Sequence, residues 1–211
     1  MRRIVTSDEF PEEMLRILSA QVETLVTSAE HQYWTHKRST VVYQRIQGHE
    51  VIIKRFNAPT LKAIVKRRLG PSPALKAYRN AMKLGNIGLR TPRPIASLDT
   101  RGPASYLITE YLHGEGTDAF FADTGRSEAC KQRVAERIRA AVEHLHRAGY
   151  VHGDLKARNL LIKEGQPYFI DLDSLHTPWL PMRRRRAISA DYARLQASLP
   201  ELRIYWPQAH G

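Results

Sequence analysis

The chain has 211 residues, of which 42% are hydrophobic and 26% charged, with 33 Lys+Arg against 21 Asp+Glu and a formal net charge of +12. This is globular composition for one or two small domains, and the single cysteine, Cys130, excludes an intramolecular disulfide and points to a reducing compartment. No run approaches the roughly 20 apolar residues of a membrane span, and residues 1–10 lack the apolar core of an export signal, so the chain reads as soluble and intracellular.

In chain order, Pro11 to Val26 reads as a helix. Thr40–Gln47 and Val51–Phe56 are rich in β-branched and aromatic residues, and Gly48 and His49 with their neighbours supply a tight connection, which makes a hairpin. Ser72 followed by Pro73 is an N-cap with proline at the first helical position; Leu75, Tyr78 and Met82 then recur at helical spacing until Gly85 stops the run. Thr91-Pro92-Arg93-Pro94 cannot be helical, because proline lacks a donor and pushes its predecessor out of the α region. Extended chain follows, with a strand over Ser105–Leu112 and a glycine pair in His113–Gly116 that is the best hinge candidate. Ser127 caps a further helix that carries Val134, Ile138, Ala141, Val142 and Leu145 on one face and ends near Gly149, with His144 and His146 on its surface.

Charge is unevenly placed along these elements. Residues 51–98 hold 11 basic and no acidic side chains, whereas the two flanking stretches are nearly balanced. Such a block attracts polyanions: anionic lipid head groups, phosphorylated glycans, nucleic acid or an acidic protein.

The chemistry begins after the last helix. His152-Gly153-Asp154-Leu155-Lys156-Ala157-Arg158-Asn159 places an Asp, a Lys and an Asn at i, i+2 and i+5, ahead of an apolar strand, and Asp171 follows in Ile170-Asp171-Leu172-Asp173. Transfer of a γ-phosphoryl group needs such a set. One carboxylate takes the proton of the attacking hydroxyl, while a second carboxylate and an amide oxygen hold Mg²⁺ against the phosphates. Upstream, Val51-Ile52-Ile53-Lys54 puts a lysine on a strand, where it suits the α and β phosphates of ATP.

The ordered set resembles the protein-kinase-like superfamily: Val51–Lys54 matches V-A-I-K, His152–Asn159 matches H-R-D-L-K-x-x-N, and Asp171–Asp173 matches D-F-G. Within it the chain is most similar to the bacterial lipopolysaccharide core kinases of the Kdo/WaaP type. Gly88–Pro94, the His-Gly-Asp-Leu-Lys loop, Ile170–Asp173 and Asp191-Tyr192-Ala193-Arg194-Leu195 carry that likeness, from about Tyr43 to Leu195. The resemblance implies an α+β, compact, two-lobed protein-kinase-like fold. Its mainly β N-lobe would span residues 1–112, and a truncated, mainly helical C-lobe residues 113–211. It implies ATP-dependent phosphorylation of a heptose or Kdo hydroxyl of the inner core, in the cytoplasm and peripheral to an anionic inner membrane surface. Asp154 and Lys156 would be catalytic, Asn159 and Asp171 would hold Mg²⁺, and Lys54 would contact ATP, with Glu110 and Leu112 binding adenine through their backbone. All would meet around one nucleotide pocket.

Departures from the pattern qualify that expectation. The helix after the hairpin has no carboxylate to pair with Lys54, the turn before the second strand, Thr35–Thr40, has no glycine loop, and Gly153 stands where protein kinases carry Arg. Only 38 residues follow Asp173, too few for an activation segment and peptide-binding lobe, which disfavours an ordinary protein kinase. Asp173 reads as a second metal ligand or a cap, Asp191 as an anchor of the catalytic loop or an N-cap, and His152 as a structural group bonding backbone near the loop. Arg183–Arg186 is a solvated run or a contact for an anionic glycolipid or membrane. A compact RIO- or Bud32-like kinase acting on protein or linked to RNA, a small-molecule kinase of the aminoglycoside phosphotransferase type, and a non-catalytic kinase-like binding module are the alternatives. Nucleic acid and an acidic protein rank behind the lipopolysaccharide core precursor as partners.

Overall fold

A computed structural model describes residues 3–6, 10–29, 31–36, 38–57, 70–100 and 102–206. Its α+β architecture falls into two units, one formed by residues 1–82 and 92–111 and the other by 83–91 and 112–211.

The first unit is an antiparallel sheet. Its strands are β1 (Arg3–Thr6), β2 (His31–His36), β3 (Ser39–Ile46), β4 (His49–Phe56), β5 (Pro94–Asp99) and β6 (Ser105–Glu110), in the order β1-β5-β6-β4-β3-β2. The expected hairpin is β3–β4, closed by the two-residue turn Gln47-Gly48 in register Ile46 to His49. Both turn residues have positive φ, 48° and 81°, so the turn twists as the strands do.

Helix α1 (Glu12–Thr27) starts at Pro11, with Glu12 and Glu13 favourably placed in its first turn. It buries Met14, Leu18, Val22 and Val26, spaced four apart, against Val42, Val51, Ile53 and Ile108 of the sheet. On β4 the alternation puts Ile53 in this core and Lys54 on the other face with Phe56. Phe56 packs there against Ala74, Ala77 and Leu107.

Helix α2 (Pro73–Asn86) is capped as expected, Ser72 Oγ accepting the Leu75 N–H at 3.1 Å. Leu75 and Tyr78 are buried, but Met82 faces solvent. The helix also runs past Gly85. Its stop is Gly88, at φ 75°, where Leu89 N–H returns to the Leu84 carbonyl at 3.0 Å and Gly88 N–H to that of Gly85 at 2.9 Å. That left-handed closure needs a glycine at Gly88, three residues beyond the one favoured by the sequence.

The second unit carries α3 (Thr117–Ala122), α4 (Glu128–Arg147), α5 (Pro181–Ser198), α6 (Leu202–Tyr205) and a small sheet β7-β8-β9 of Glu115–Gly116, Leu160–Lys163 and Gln166–Phe169. Ser127 caps α4 through Cys130 N–H at 3.3 Å. Val134, Ile138, Val142 and Leu145 form its buried face as expected, while Ala141 lies at the margin. The hinge candidate is more ordered than expected, because Glu115 and Gly116 pair with Ile162 and Leu161 of β8. The strand expected over Ser105–Leu112 ends at Glu110, whose carboxylate turns back to accept the Arg93 N–H at 2.9 Å. No helix among the described residues is long and apolar enough to cross a membrane.

Candidate active site

The loop after α4 is built by the backbone before any side chain acts. Val151 and His176 exchange N–H···O bonds of 2.9 and 3.0 Å, which brings the chain after Asp171 beside the loop. Gly153 then turns at φ 84°, and a Cβ placed there would lie 2.7 Å from the Ser174 carbonyl oxygen. Any larger residue at this position, Arg included, would have to displace backbone.

Asp191, fully buried in the middle of α5, anchors this turn. Its carboxylate accepts the His152 N–H at 2.8 Å and the Gly153 N–H at 3.0 Å. His146 Nε2 stands 3.3 Å away on α4. The anchor role therefore replaces the N-cap reading, since Asp191 lies ten residues beyond Pro181 of α5. Burial pushes the Asp191 carboxyl up, but the hydrogen bond from His146 and that from the His152 N–H outweigh it and leave it below the usual range. Ser198, near the end of α5, adds a second anchor by accepting the Ala157 N–H at 2.8 Å.

His152 is structural, as expected: it is buried, with Nε2 3.2 Å from the Ile170 carbonyl. Burial pushes its imidazole below the ordinary value against the opposing pull of Asp191. Its Nδ1 has no hydrogen-bond partner among the described residues. A neutral ring with the proton on Nε2 satisfies both observations.

On this frame the structure gathers four of the sequence-expected residues. Asn159 donates through Nδ2 to the Asp154 carbonyl at 2.8 Å, which leaves Oδ1 as the acceptor end of the amide. The Asn159 carbonyl in turn accepts the Ile170 N–H at 2.9 Å, so the residue before Asp171 is tied to Asn159. Lys156 Nζ lies 2.7 Å from Asp154 Oδ1, both side chains about one-third exposed. Asp171 is itself left-handed, at φ 60° and ψ 55°, a conformation uncommon outside glycine that Asp tolerates better than most. Asp173 falls within the short 3-10 turn Leu172–Ser174 that follows.

The expected nucleotide-contacting residues divide between the units. Lys54 lies in the first, half-buried on β4 with its ammonium 4.8 Å from the centre of the Phe56 ring. Glu110 also belongs to the first unit, and its N–H bonds the Arg93 carbonyl at 3.0 Å while Tyr111 N–H bonds that of Glu50 at 2.9 Å. Leu112 opens the 112–211 part of the second unit and is buried.

Two supporting residues were misjudged or missed in the sequence. His146, expected on the helix surface, is 5% exposed because it sits one residue after Leu145 and four after Val142, at the edge of the buried stripe. That spacing was the available signal. Ser198 gave none, since only the packing of α5 against the loop brings its hydroxyl to Ala157.

Comparison with known proteins follows the same lines. The model of the lipopolysaccharide kinase (Kdo/WaaP) family matches residues 18–210, wider than the 43–195 stretch carried by the motifs. The chain is similar to KEOPS complex subunit Bud32 of Pyrococcus abyssi, 24% identical over 159 residues, covering 74% of this chain and 66% of that protein. It is similar to the RIO-type serine/threonine-protein kinase Rio1 of Haloferax volcanii, 34% identical over 97 residues, covering 46% of this chain and 31% of the relative. A third relative is the 3-deoxy-D-manno-octulosonic acid kinase of Xylella fastidiosa, 32% identical over 132 residues, covering 60% of this chain and 49% of that protein. The chain thus spans less than two-thirds of the length of each of these relatives.

Proposed function

The chain belongs to the lipopolysaccharide kinase (Kdo/WaaP) family, and from that membership we propose that it transfers the γ-phosphoryl group of ATP to a sugar hydroxyl, heptose or Kdo, of the lipopolysaccharide inner core. The observation that carries this reading is the tying of Asp154, Asn159 and Ile170, the residue before Asp171, into one cluster by two hydrogen bonds. Asp154 accepts the proton of the acceptor hydroxyl as the new O–P bond forms and the β,γ-bridging O–P bond breaks, leaving ADP. Lys156, already paired with Asp154, offsets charge on the group in transit.

The donors fit Mg²⁺, a hard cation that takes oxygen ligands: the Asn159 amide oxygen and the Asp171 carboxylate would hold it. When bound, the ion neutralises charge on the phosphate oxygens. Lys54 contacts the α and β phosphates, and the backbone at Glu110 and Leu112 receives adenine. The basic stretch, with Lys76, Arg79 and Lys83 exposed on one side of α2, faces the phosphorylated acceptor. The protein works in the cytoplasm, peripheral to an anionic inner membrane surface.

The similarity to Bud32 and Rio1 supports a second reading, a compact kinase acting on protein or linked to RNA. Incubation with radiolabelled ATP, Mg²⁺ and purified inner-core lipopolysaccharide distinguishes the two. Label is expected on the sugar, absent in Asp154→Ala, while that variant keeps the thermal shift induced by Mg²⁺-ATP. Unchanged turnover in Asp154→Ala, or label on protein alone, overturns the proposal.

A further inference from the structure

We propose that Trp179 and the first turn of α5 form a docking surface for an anionic phospholipid bilayer. Trp179 is 80% exposed and Met182 71%, which places two large apolar side chains three residues apart in sequence on open surface. The helix explains the exposure of Met182. At about 100° per residue, Met182 stands nearly opposite Asp191, the buried anchor, and Arg185 and Arg186 fall on either side of it. All three of Arg183, Arg185 and Arg186 are exposed.

Arg184 behaves differently, and the difference defines the patch. It turns inward and donates to the carbonyls of His146 at 2.5 Å and Arg147 at 3.5 Å, at the C-terminal end of α4. No Asp or Glu occurs from Ser174 to Ala190, and among the described residues Arg183, Arg185 and Arg186 make no ion pair. The first turns of this helix therefore join exposed apolar side chains to exposed arginines, with no acidic residue in the same stretch of chain. Indole sits well at the head-group level of a bilayer, and arginines beside it meet anionic lipid. A nucleic-acid or acidic-protein partner would use the arginines but would leave Met182 without a role. The contact proposed is peripheral, an exposed apolar and basic face lying at the head groups. The inference deepens the proposed function, on which its purpose rests, by giving the enzyme a way to reach a lipid-borne acceptor.

The test is co-sedimentation of the full chain with vesicles of phosphatidylcholine alone or mixed with phosphatidylglycerol, without nucleotide or lipopolysaccharide. Binding is expected only to the anionic vesicles and should weaken with salt. Arg183→Gln/Arg185→Gln/Arg186→Gln should bind on the order of a hundredfold more weakly. Trp179→Ser/Met182→Ser should lose most binding as well, with circular dichroism and melting unchanged in both variants. Absence of binding to anionic vesicles overturns the proposal, as does equal binding by all three proteins or capture of RNA or an acidic peptide in place of vesicles. Because the readout contains no ATP and no sugar, failure here leaves the phosphoryl-transfer assay to stand or fall separately.

Discussion

Asp191 accepts the backbone N–H of His152 at 2.8 Å across 39 residues of sequence. Through this bond and its companion from Gly153, a buried carboxylate in a helix sets the path of the loop that carries Asp154. The carboxylate works as a template for the backbone.

Replacing it should therefore damage stability and turnover together. Asp191→Ala leaves two largely buried N–H groups unpaired, each costing about 1–3 kcal/mol, so urea unfolding should show a loss of about 3 kcal/mol or more. Asp191→Asn, which keeps one acceptor oxygen, should fall between that variant and the parent.

Acid should weaken the fold in two stages. The His152 imidazole is held below its ordinary value by burial, so the unfolded chain takes up the proton first, and stability declines as pH falls from about 6.5 towards the folded value. The Asp191 carboxyl is also held low, burial being outweighed by the His146 and His152 hydrogen bonds. Its contribution is whole above about pH 4 and is lost as pH falls through the folded value. Melting temperatures between pH 7 and 3 would show this, and His152→Asn should remove the upper stage alone.

Gly153→Ala should be destabilising by about 2–4 kcal/mol, combining the left-handed backbone with the approach to Ser174. Because the closest atom is the Ser174 carbonyl oxygen, Ser174→Ala should fail to rescue it. Chemical denaturation of the single and double variants decides this.

If Asn159 and Asp171 hold Mg²⁺, Asn159→Ala should raise the Mg²⁺ concentration for half-maximal turnover at least about tenfold. Titration of activity with Mg²⁺ at saturating ATP measures the shift; an unchanged midpoint removes Asn159 from the ligand set.

The cap at α2 offers a test remote from the chemistry. Ser72→Ala removes the acceptor for the Leu75 N–H and should cost about 1 kcal/mol, read by urea unfolding, with turnover per folded molecule unaffected.

Local physics made many elements readable from the chain. Ser72 and Ser127 cap their helices because a hydroxyl before an apolar period has one obvious use, and a hairpin is legible because two β-rich runs flank Gly48 and His49, although the turn itself falls one residue earlier, at Gln47-Gly48. The spacing of Asp154, Lys156, Asn159 and Asp171 was equally visible, being a chemical pattern written within one short stretch. Gly85 misled because two glycines lie near the end of α2, and only backbone geometry tells which one adopts positive φ.

What the order of residues determined by itself is the set of groups suited to phosphoryl transfer and the helices and strands that bear them. Only the tertiary structure decided how that set is held. Asp191 was open between anchor and cap, because a hydrogen bond across 39 residues leaves no periodic trace around it, and the spacing of His146 marked it as buried without naming its partner on α5. Such bonds exist because a buried N–H must find an acceptor wherever packing supplies one, and packing is a property of the folded chain.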